Sequence, residues 1–180
     1  EIGMQALKIA LGSSLAIYIA NLIGLKYSLA AGSVALLTMV TTKWKTVKLS
    51  IARVVTFVIS VLMAMIIFSI VKSEWIAYGV YAFFVVIIAE MIGWGATISV
   101  NALIGMHFLE IRDFEVDFIV NEFMLVLIGI TMALILNLFY DYGSQRKGLV
   151  ENMRYTEERL QMILGEISAY LANKEMQRSV

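Results

Sequence analysis

The chain has 180 residues, of which 61% are hydrophobic and 16% charged, and its mean hydropathy is +0.85. A soluble domain has roughly 45–50% apolar and about 25% charged residues, so this composition excludes an ordinary soluble protein and indicates a surface that faces lipid. The formal net charge is zero, and the lack of cysteine with a single histidine excludes disulfides, thiolate chemistry and a Cys- or His-rich metal site.

Charged residues divide the chain into six apolar segments, each a candidate transmembrane helix. These segments cover 9–25, 27–42, 51–71, 75–92, 95–109 and 118–140. A spanning helix needs about 20 apolar residues, so the first, third, fourth and sixth segments are long enough. The second and fifth have only about 16 and 15 residues, which also fits a buried or re-entrant helix. We predict six crossings, because that number explains the charge distribution.

Basic residues are distributed unevenly between the two predicted sides of the membrane. The loop after the second segment holds Lys43, Lys45 and Lys48, and Arg53 comes just beyond it. With this loop inside the cell, the opposite side holds only Lys26, Lys72 and Arg112 of the fourteen basic residues. Because short cytoplasmic loops are enriched in Lys and Arg, we predict a multi-pass protein of the cell membrane with cytoplasmic N- and C-termini.

The predicted architecture is an all-α membrane protein with two domains. Residues 1–140 form the six-span transmembrane domain, as two inverted three-helix halves in which the short segments occupy matching positions. Residues 141–180 form a cytosolic helical tail. From about Ser144, apolar residues recur at steps near three and four among charged residues, which is typical of an amphipathic helix with heptad-like spacing. Since the first residue is Glu1 and not Met, we expect flanking sequence.

Two ionisable residues near the predicted outer side are candidate functional groups. His107 lies near the end of the fifth segment, and Glu122 lies about one turn inside the sixth. The acidic connection over 110–117 makes these segments an antiparallel hairpin, so both side chains reach similar depth and direct contact is possible. Such a pair can exchange protons or hold a carboxylate; the alternative is two interfacial residues wetted from outside.

Small and polar residues form stripes on the last two spans. At 100° per residue, Glu122, Gly129, Ala133 and Asn137 fall within an arc of roughly 80°, and a stripe of this kind should face protein or water. On the fifth segment, Thr97, Asn101 and Gly105 follow a spacing of four. Helix packing and a transport pathway explain both stripes equally well. Small residues on the first span, at Ala10, Gly12, Ser14, Ala16 and Ala20, likewise fit packing within one subunit or between subunits.

Several short motifs in a fixed order resemble the membrane domain of the bacterial aromatic acid exporter family. They are Ile2-Gly3, Lys8 to Gly12, Leu22 to Leu25, Thr41 to Lys43, His107 to Leu109, Asn121-Glu122, Ile128-Gly129 and Asn137 to Phe139. That family is related to fusaric acid resistance proteins and aluminium-activated malate transporters. The resemblance implies export of aromatic or other organic anions by an oligomer, with His107, Asn121 and Glu122 as site positions. It also implies that the tail begins a longer cytosolic domain.

The leading hypothesis is a secondary exporter of aromatic or other organic acid anions. Lys43 and Lys45 would attract anions at the cytoplasmic mouth, Asn21 and Asn101 would offer neutral donors, and His107 with Glu122 would couple release to protons. We expect a homodimer or higher homo-oligomer in the lipid bilayer. Two alternatives stay open: an anion channel with its pore at a subunit interface, and a non-transporting anchor whose cytosolic helix binds a partner.

Several functions find no support in the sequence. It contains no Walker loop, HExxH, GxSxG or dinucleotide fingerprint. We therefore predict neither an enzyme nor an ATP-driven pump, and we expect no cofactor, metal or nucleic-acid partner.

Overall fold

The computed structural model of the protein is helical throughout the part of the chain that it describes. That part comprises residues 2–40 and 43–179, without the side chains of 43, 44 and 140–146. It divides into two compact units, Glu1–Leu138 and Phe139–Val180.

Six α-helices follow one another along the described chain. They are α1 (Ile2–Ile23), α2 (Leu29–Met39), α3 (Lys43–Ile70), α4 (Glu74–Ile92), α5 (Ile98–Ile111) and α6 (Val116–Ser179), with a 3₁₀ turn at Gly95–Thr97 before α5. Glycine ends α4, because Gly93 has a φ of 86°, in the left-handed region that costs other residues energy. The all-helical prediction is confirmed.

Four helices are long and apolar enough to cross a bilayer by themselves. These are α1, the part of α3 from Lys45 to Ile70, α4, and the part of α6 from Val116 to Phe139. The shorter apolar helices are α2 and the segment Gly95–Ile111. The predicted long and short segments therefore appear in the expected order, while the count of six crossings stays a prediction.

The helix boundaries differ from several of the predicted segments. α2 ends at Met39, and the end predicted for the second segment, at residues 41 and 42, lies outside the described residues; α3 begins at Lys43 instead of 51. The lysines and polar residues at the start of α3 are good enough helix formers to continue the helix beyond its apolar part. The tail was expected as a separate helix, and the structure assigns it to α6, which has the bounds Val116–Ser179.

Small residues bring α1 and α2 together as an antiparallel hairpin. Gly12, Ala16 and Ala20 of α1 are buried, and a Cβ on Gly32 of α2 would lie 2.6 Å from a methyl carbon of Ile17. Such close approach needs glycine, because lipid gives helices little hydrophobic drive to associate and packing must supply it. Of the two interpretations left open for this face, packing within one subunit describes Gly12, Ala16 and Ala20, while Ala10 and Ser14 are exposed.

Aromatic rings fill the core between α3, α4, α5 and the first turns of α6. The Phe68 ring lies 5.5 Å from the Tyr81 ring, and Phe108 lies 5.2 Å from both Phe114 and Phe118. Gly105 allows α5 to pass directly over Tyr81, whose hydroxyl donates to the Asn101 carbonyl at 2.7 Å. This packing fixes the end of α5 that carries His107.

In the second unit, the apolar positions predicted for an amphipathic helix are all exposed. They are Leu149, Met153, Leu160, Ile163, Ile167 and Tyr170.

Candidate functional site

His107 and Glu122 meet inside the first unit, as the hairpin of α5 and α6 predicts. His107 Nδ1 lies 2.6 Å from Glu122 Oε1. Glu122 is 1% exposed and His107 8%, so neither is a wetted surface residue in this conformation. Ionisable side chains buried inside membrane helix bundles are uncommon and often belong to functional sites, so this pair is a candidate functional site.

The contact between the two side chains is close but not a well-aligned hydrogen bond. Neither His107 Nδ1 nor the two carboxylate oxygens of Glu122 meets hydrogen-bond geometry with any group in the described chain. The 2.6 Å separation is therefore an ion-pair contact when the imidazole is protonated on both nitrogens and positively charged. Glu122 Oε2 is buried without a partner in the same part of the chain, which leaves an acceptor available for a proton, water or ligand.

Tyr27 covers the imidazole of His107. The two rings stack with centroids 4.1 Å apart and planes inclined by 8°, and Phe118 meets the Tyr27 ring edge-on at 6.4 Å. Tyr27 follows α1 in a left-handed conformation with a φ of 58°, which is strained for a residue with a Cβ. The α1–α2 turn therefore brings an aromatic lid over the pair.

Asn121 holds that turn in place. Its Oδ1 accepts a hydrogen bond from the Lys26 backbone N–H at 2.9 Å, and its Nδ2 donates to the Lys26 carbonyl at 3.1 Å. Both ends of the amide are thus engaged by the residue next to Tyr27. In this conformation Asn121 positions the lid, and its predicted contact with a substrate stays a prediction.

The other two predicted asparagines lie apart from this pair. Asn101 is 3% exposed and lines a small cavity with Thr56, Ser60 and neighbouring apolar residues. That cavity, of about 10 Å³, is close to the smallest that holds one water molecule. Asn21 is exposed in the last turn of α1. Their roles as donors along a route stay predictions.

The predicted stripes on α5 and α6 face protein, as expected. Glu122, Gly129, Ala133 and Asn137 are all buried, and so are Thr97, Asn101 and Gly105. Asn137 lies in a second polar cluster near the start of α1: Lys8 Nζ donates to its Oδ1, and its Nδ2 donates to Thr46 Oγ1, each at 2.7 Å. The polar face of α6 therefore joins two clusters near its two ends within the first unit.

Lys45 lines an open cavity between the start of α3 and the end of α4. The cavity has a volume of about 280 Å³, and its other lining residues include Lys48, Gly93 and Trp94. Lys45 and Lys48 are exposed and offer ammonium groups, and Trp94 adds an indole ring. The Glu90 carboxylate lies beside Gly95, where a Cβ would be 3.1 Å from its Oε1. The side chain of Lys43, the other residue predicted for anion attraction, lies outside the described residues.

Arg53 is a buried polar group that the sequence analysis missed. It was taken as a charge just beyond the basic loop, but it is 2% exposed in α3, and its Nε donates to Thr38 Oγ1 of α2 at 3.0 Å. The sequence signal for its burial was its position inside the apolar segment 51–71. The predicted segment included Arg53, but its charge was not considered further. The described residues contain no group of three or more His, Asp or Glu side chains that could hold a metal ion.

Comparisons with known proteins identify the family of the chain. Residues 1–140 match the family described as aromatic acid exporter family member 1. The chain is similar to the uncharacterized protein YqjA of Bacillus subtilis (strain 168), with 26% identity over 175 residues. That alignment covers 97% of this chain and 54% of the relative, so the chain spans about half the length of that protein. No solved structure matches.

Because the family match covers most of its length, this chain belongs to the aromatic acid exporter family, whose name points to a membrane transporter.

Proposed function

We propose that the protein exports aromatic or other organic acid anions from the cytoplasm across the cell membrane and couples this export to protons. The observation that carries the proposal is the His107–Glu122 contact of 2.6 Å, buried in the helical unit of a chain that belongs to an exporter family. Charged groups inside apolar helix bundles are characteristic of substrate and proton pathways.

The chemistry of the pair suits a coupling role. Histidine changes charge most readily near physiological pH, and a buried carboxylate with a free oxygen accepts a proton. Each proton gained or lost changes the net charge of the pair by one. In a site of low dielectric this change strongly alters both the α5–α6 contact and the attraction of a nearby anion. The pair thereby links protonation to anion release.

The cavity at Lys45, Lys48 and Trp94 supports an aromatic carboxylate as the substrate. Its volume of about 280 Å³ accommodates a single-ring acid. Ammonium groups attract the carboxylate, while an indole offers a stacking surface for the ring. We place this cavity at the cytoplasmic entrance, in keeping with the predicted orientation.

Oligomer formation belongs to the proposal. Six helices leave little interior space for a wide route. Large apolar side chains are exposed on the outside of the first unit, among them Tyr18, Leu62, Ile66, Trp75 and Phe83. These side chains face lipid or a second copy of the chain. A homodimer or higher homo-oligomer gives the anion a wider route between subunits.

Flux measurements in proteoliposomes test the proposal. Benzoate, the simplest aromatic carboxylate, is loaded inside vesicles that contain the protein, and its release is followed with and without a pH gradient. We expect release to respond to the gradient. His107→Ala and Glu122→Gln should abolish that response, because each removes one titrating partner of the pair.

Glu158→Gln is the matched control, since Glu158 is an exposed carboxylate in the second unit and should leave flux unchanged. Voltage-driven benzoate current without proton coupling would replace the exporter by an anion channel. Absence of both flux and current would favour a membrane anchor and overturn the proposal.

A further inference from the structure

Arg53 carries a buried positive charge in the middle of the first unit. It is one of the largest fully buried side chains, at 2% exposed. It lies seven residues beyond Thr46 on α3, which places it about 10 Å along the helix from the Lys8–Asn137–Thr46 cluster. Its Nε donates to Thr38 Oγ1 at 3.0 Å, but Nη1 is buried without a hydrogen-bond partner in the described part of the chain.

Within the described part of the chain, no carboxylate lies close enough to neutralise this guanidinium. Among the described residues, the ion pair formed within 4.0 Å is His107 with Glu122, and none involves Arg53. Thr38 lies in the last turn of α2, and a helix C-terminus supplies about half a unit of negative charge. The end of α2 therefore reduces the charge of Arg53 without cancelling it.

The polar neighbours of Arg53 on α3 do not complete its hydrogen bonds either. Thr56 donates its hydroxyl to the Ala52 carbonyl at 2.8 Å, and Ser50 donates to the Thr46 carbonyl at 2.7 Å. With Ser60, these buried residues form a polar face on α3. Arg53 is the charged member of that face, and its Nη1 has no hydrogen-bond partner in the described part of the chain, which leaves room for a ligand that brings negative charge.

We infer that Arg53, oriented by Thr38, binds the carboxylate of the transported anion inside the membrane domain. The inference rests on the proposed function for the class of ligand. A guanidinium presents two parallel N–H groups that match the two oxygens of a carboxylate, which a lysine ammonium does not. Because Arg53 is 2% exposed, an anion reaches it only when the packing around its side chain opens.

Binding to the purified full chain tests the assignment independently of transport. The midpoint of thermal unfolding and the dissociation constant are measured with three probes: benzoate, its neutral isostere benzamide, and chloride. We expect benzoate to bind and to stabilise the protein, and the other two probes to have little effect. Arg53→Gln should weaken benzoate binding about tenfold or more, as loss of a charged hydrogen-bond partner does. Arg53→Lys should weaken it as well, because the planar fork is lost.

Arg154→Gln is the matched control, since Arg154 is exposed in the second unit, and it should bind benzoate like the original chain. Equal binding of benzoate by Arg53→Gln, or equal stabilisation by chloride or benzamide, overturns the inference. If Arg53→Gln does not fold, Thr38→Val removes the oxygen that orients the guanidinium. It should lower affinity about fivefold, and unchanged affinity overturns the inference. Benzoate flux that persists in folded Arg53→Gln refutes this site alone, whereas absence of flux in the original chain refutes the proposed function.

Discussion

At the scale of single residues, the amide of Asn121 connects α6 to the α1–α2 turn, which is far away in sequence. Its two hydrogen bonds to the Lys26 backbone fix the turn that stacks Tyr27 over His107. We predict that Asn121→Ala exposes the imidazole, because two hydrogen bonds of about 1 kcal/mol each no longer hold the lid. His107 is the single histidine of the chain, so its modification by diethyl pyrocarbonate, read as absorbance near 240 nm, reports this site alone in protein purified without a histidine tag.

The rate of that modification should rise several-fold in Asn121→Ala. Asn173→Ala, in the exposed tail, is the matched control and should react like the original chain. Equal rates in all three proteins would show that Asn121 does not hold the lid.

Single residues also show how far the sequence predicts this site. The contact of His107 with Glu122 follows from hairpin geometry, since the short acidic connection sets both at one depth. Arg53 was missed because its burial depends on a tertiary contact. Its Nε donates to Thr38 Oγ1 of α2, and the sequence does not show that these two helices meet there. The stacking of Tyr27 depends on a left-handed backbone at a non-glycine residue, for which the sequence carries no clear signal.

At the scale of helices, glycine decides how closely α6 approaches α2. A Cβ on Gly129 would lie 2.6 Å from the side chain of Val34 and 2.9 Å from the backbone nitrogen of Ala35. Backbone cannot move aside as a flexible side chain can. We therefore predict that Gly129→Ala destabilises the first unit by about 1–3 kcal/mol, the usual cost of overpacking, and lowers the midpoint of thermal unfolding in detergent.

Gly79→Ala is the control within the same unit. A Cβ on Gly79, in α4, meets no atom within 4 Å, and alanine is the better helix former, so stability should stay equal or rise. A Gly129→Ala protein as stable as Gly79→Ala would mean that α6 does not approach α2 this closely.

The helices also separate what periodicity can predict from what it cannot. A spacing of 3.6 correctly assigns the buried faces of α5 and α6, because burial depends on angular position alone. The change of pattern near Ser144 marks where the apolar span gives way to an amphipathic segment, but it does not show whether the helix ends there, because both patterns are helical. The long–short–long order of α1 to α3 and of α4 to α6 agrees with two inverted halves, and their structural equivalence stays a prediction.

At the scale of the whole molecule, the number of crossings depends on the two short helices. With 1.5 Å of rise per residue, the 11 residues of α2 span about 16 Å, roughly half of a hydrocarbon core about 30 Å thick. A crossing by α2 therefore needs adjoining residues to cover the remaining distance. If α2 or α5 turns back instead, the loops on both of its sides lie on the same face of the membrane.

Single cysteines decide between these topologies, and the chain has none of its own to remove. We predict that cysteines at Lys26 and Glu115 react with a membrane-impermeant maleimide in intact cells. Cysteines at Val47, Ala96 and Asn173 should react only after permeabilisation. Lys26 and Val47 flank α2, and Ala96 and Glu115 flank α5, so each pair tests one short helix. Reaction of both members of a pair from the same side would show that its helix does not cross, and reaction of Asn173 in intact cells would place the tail outside.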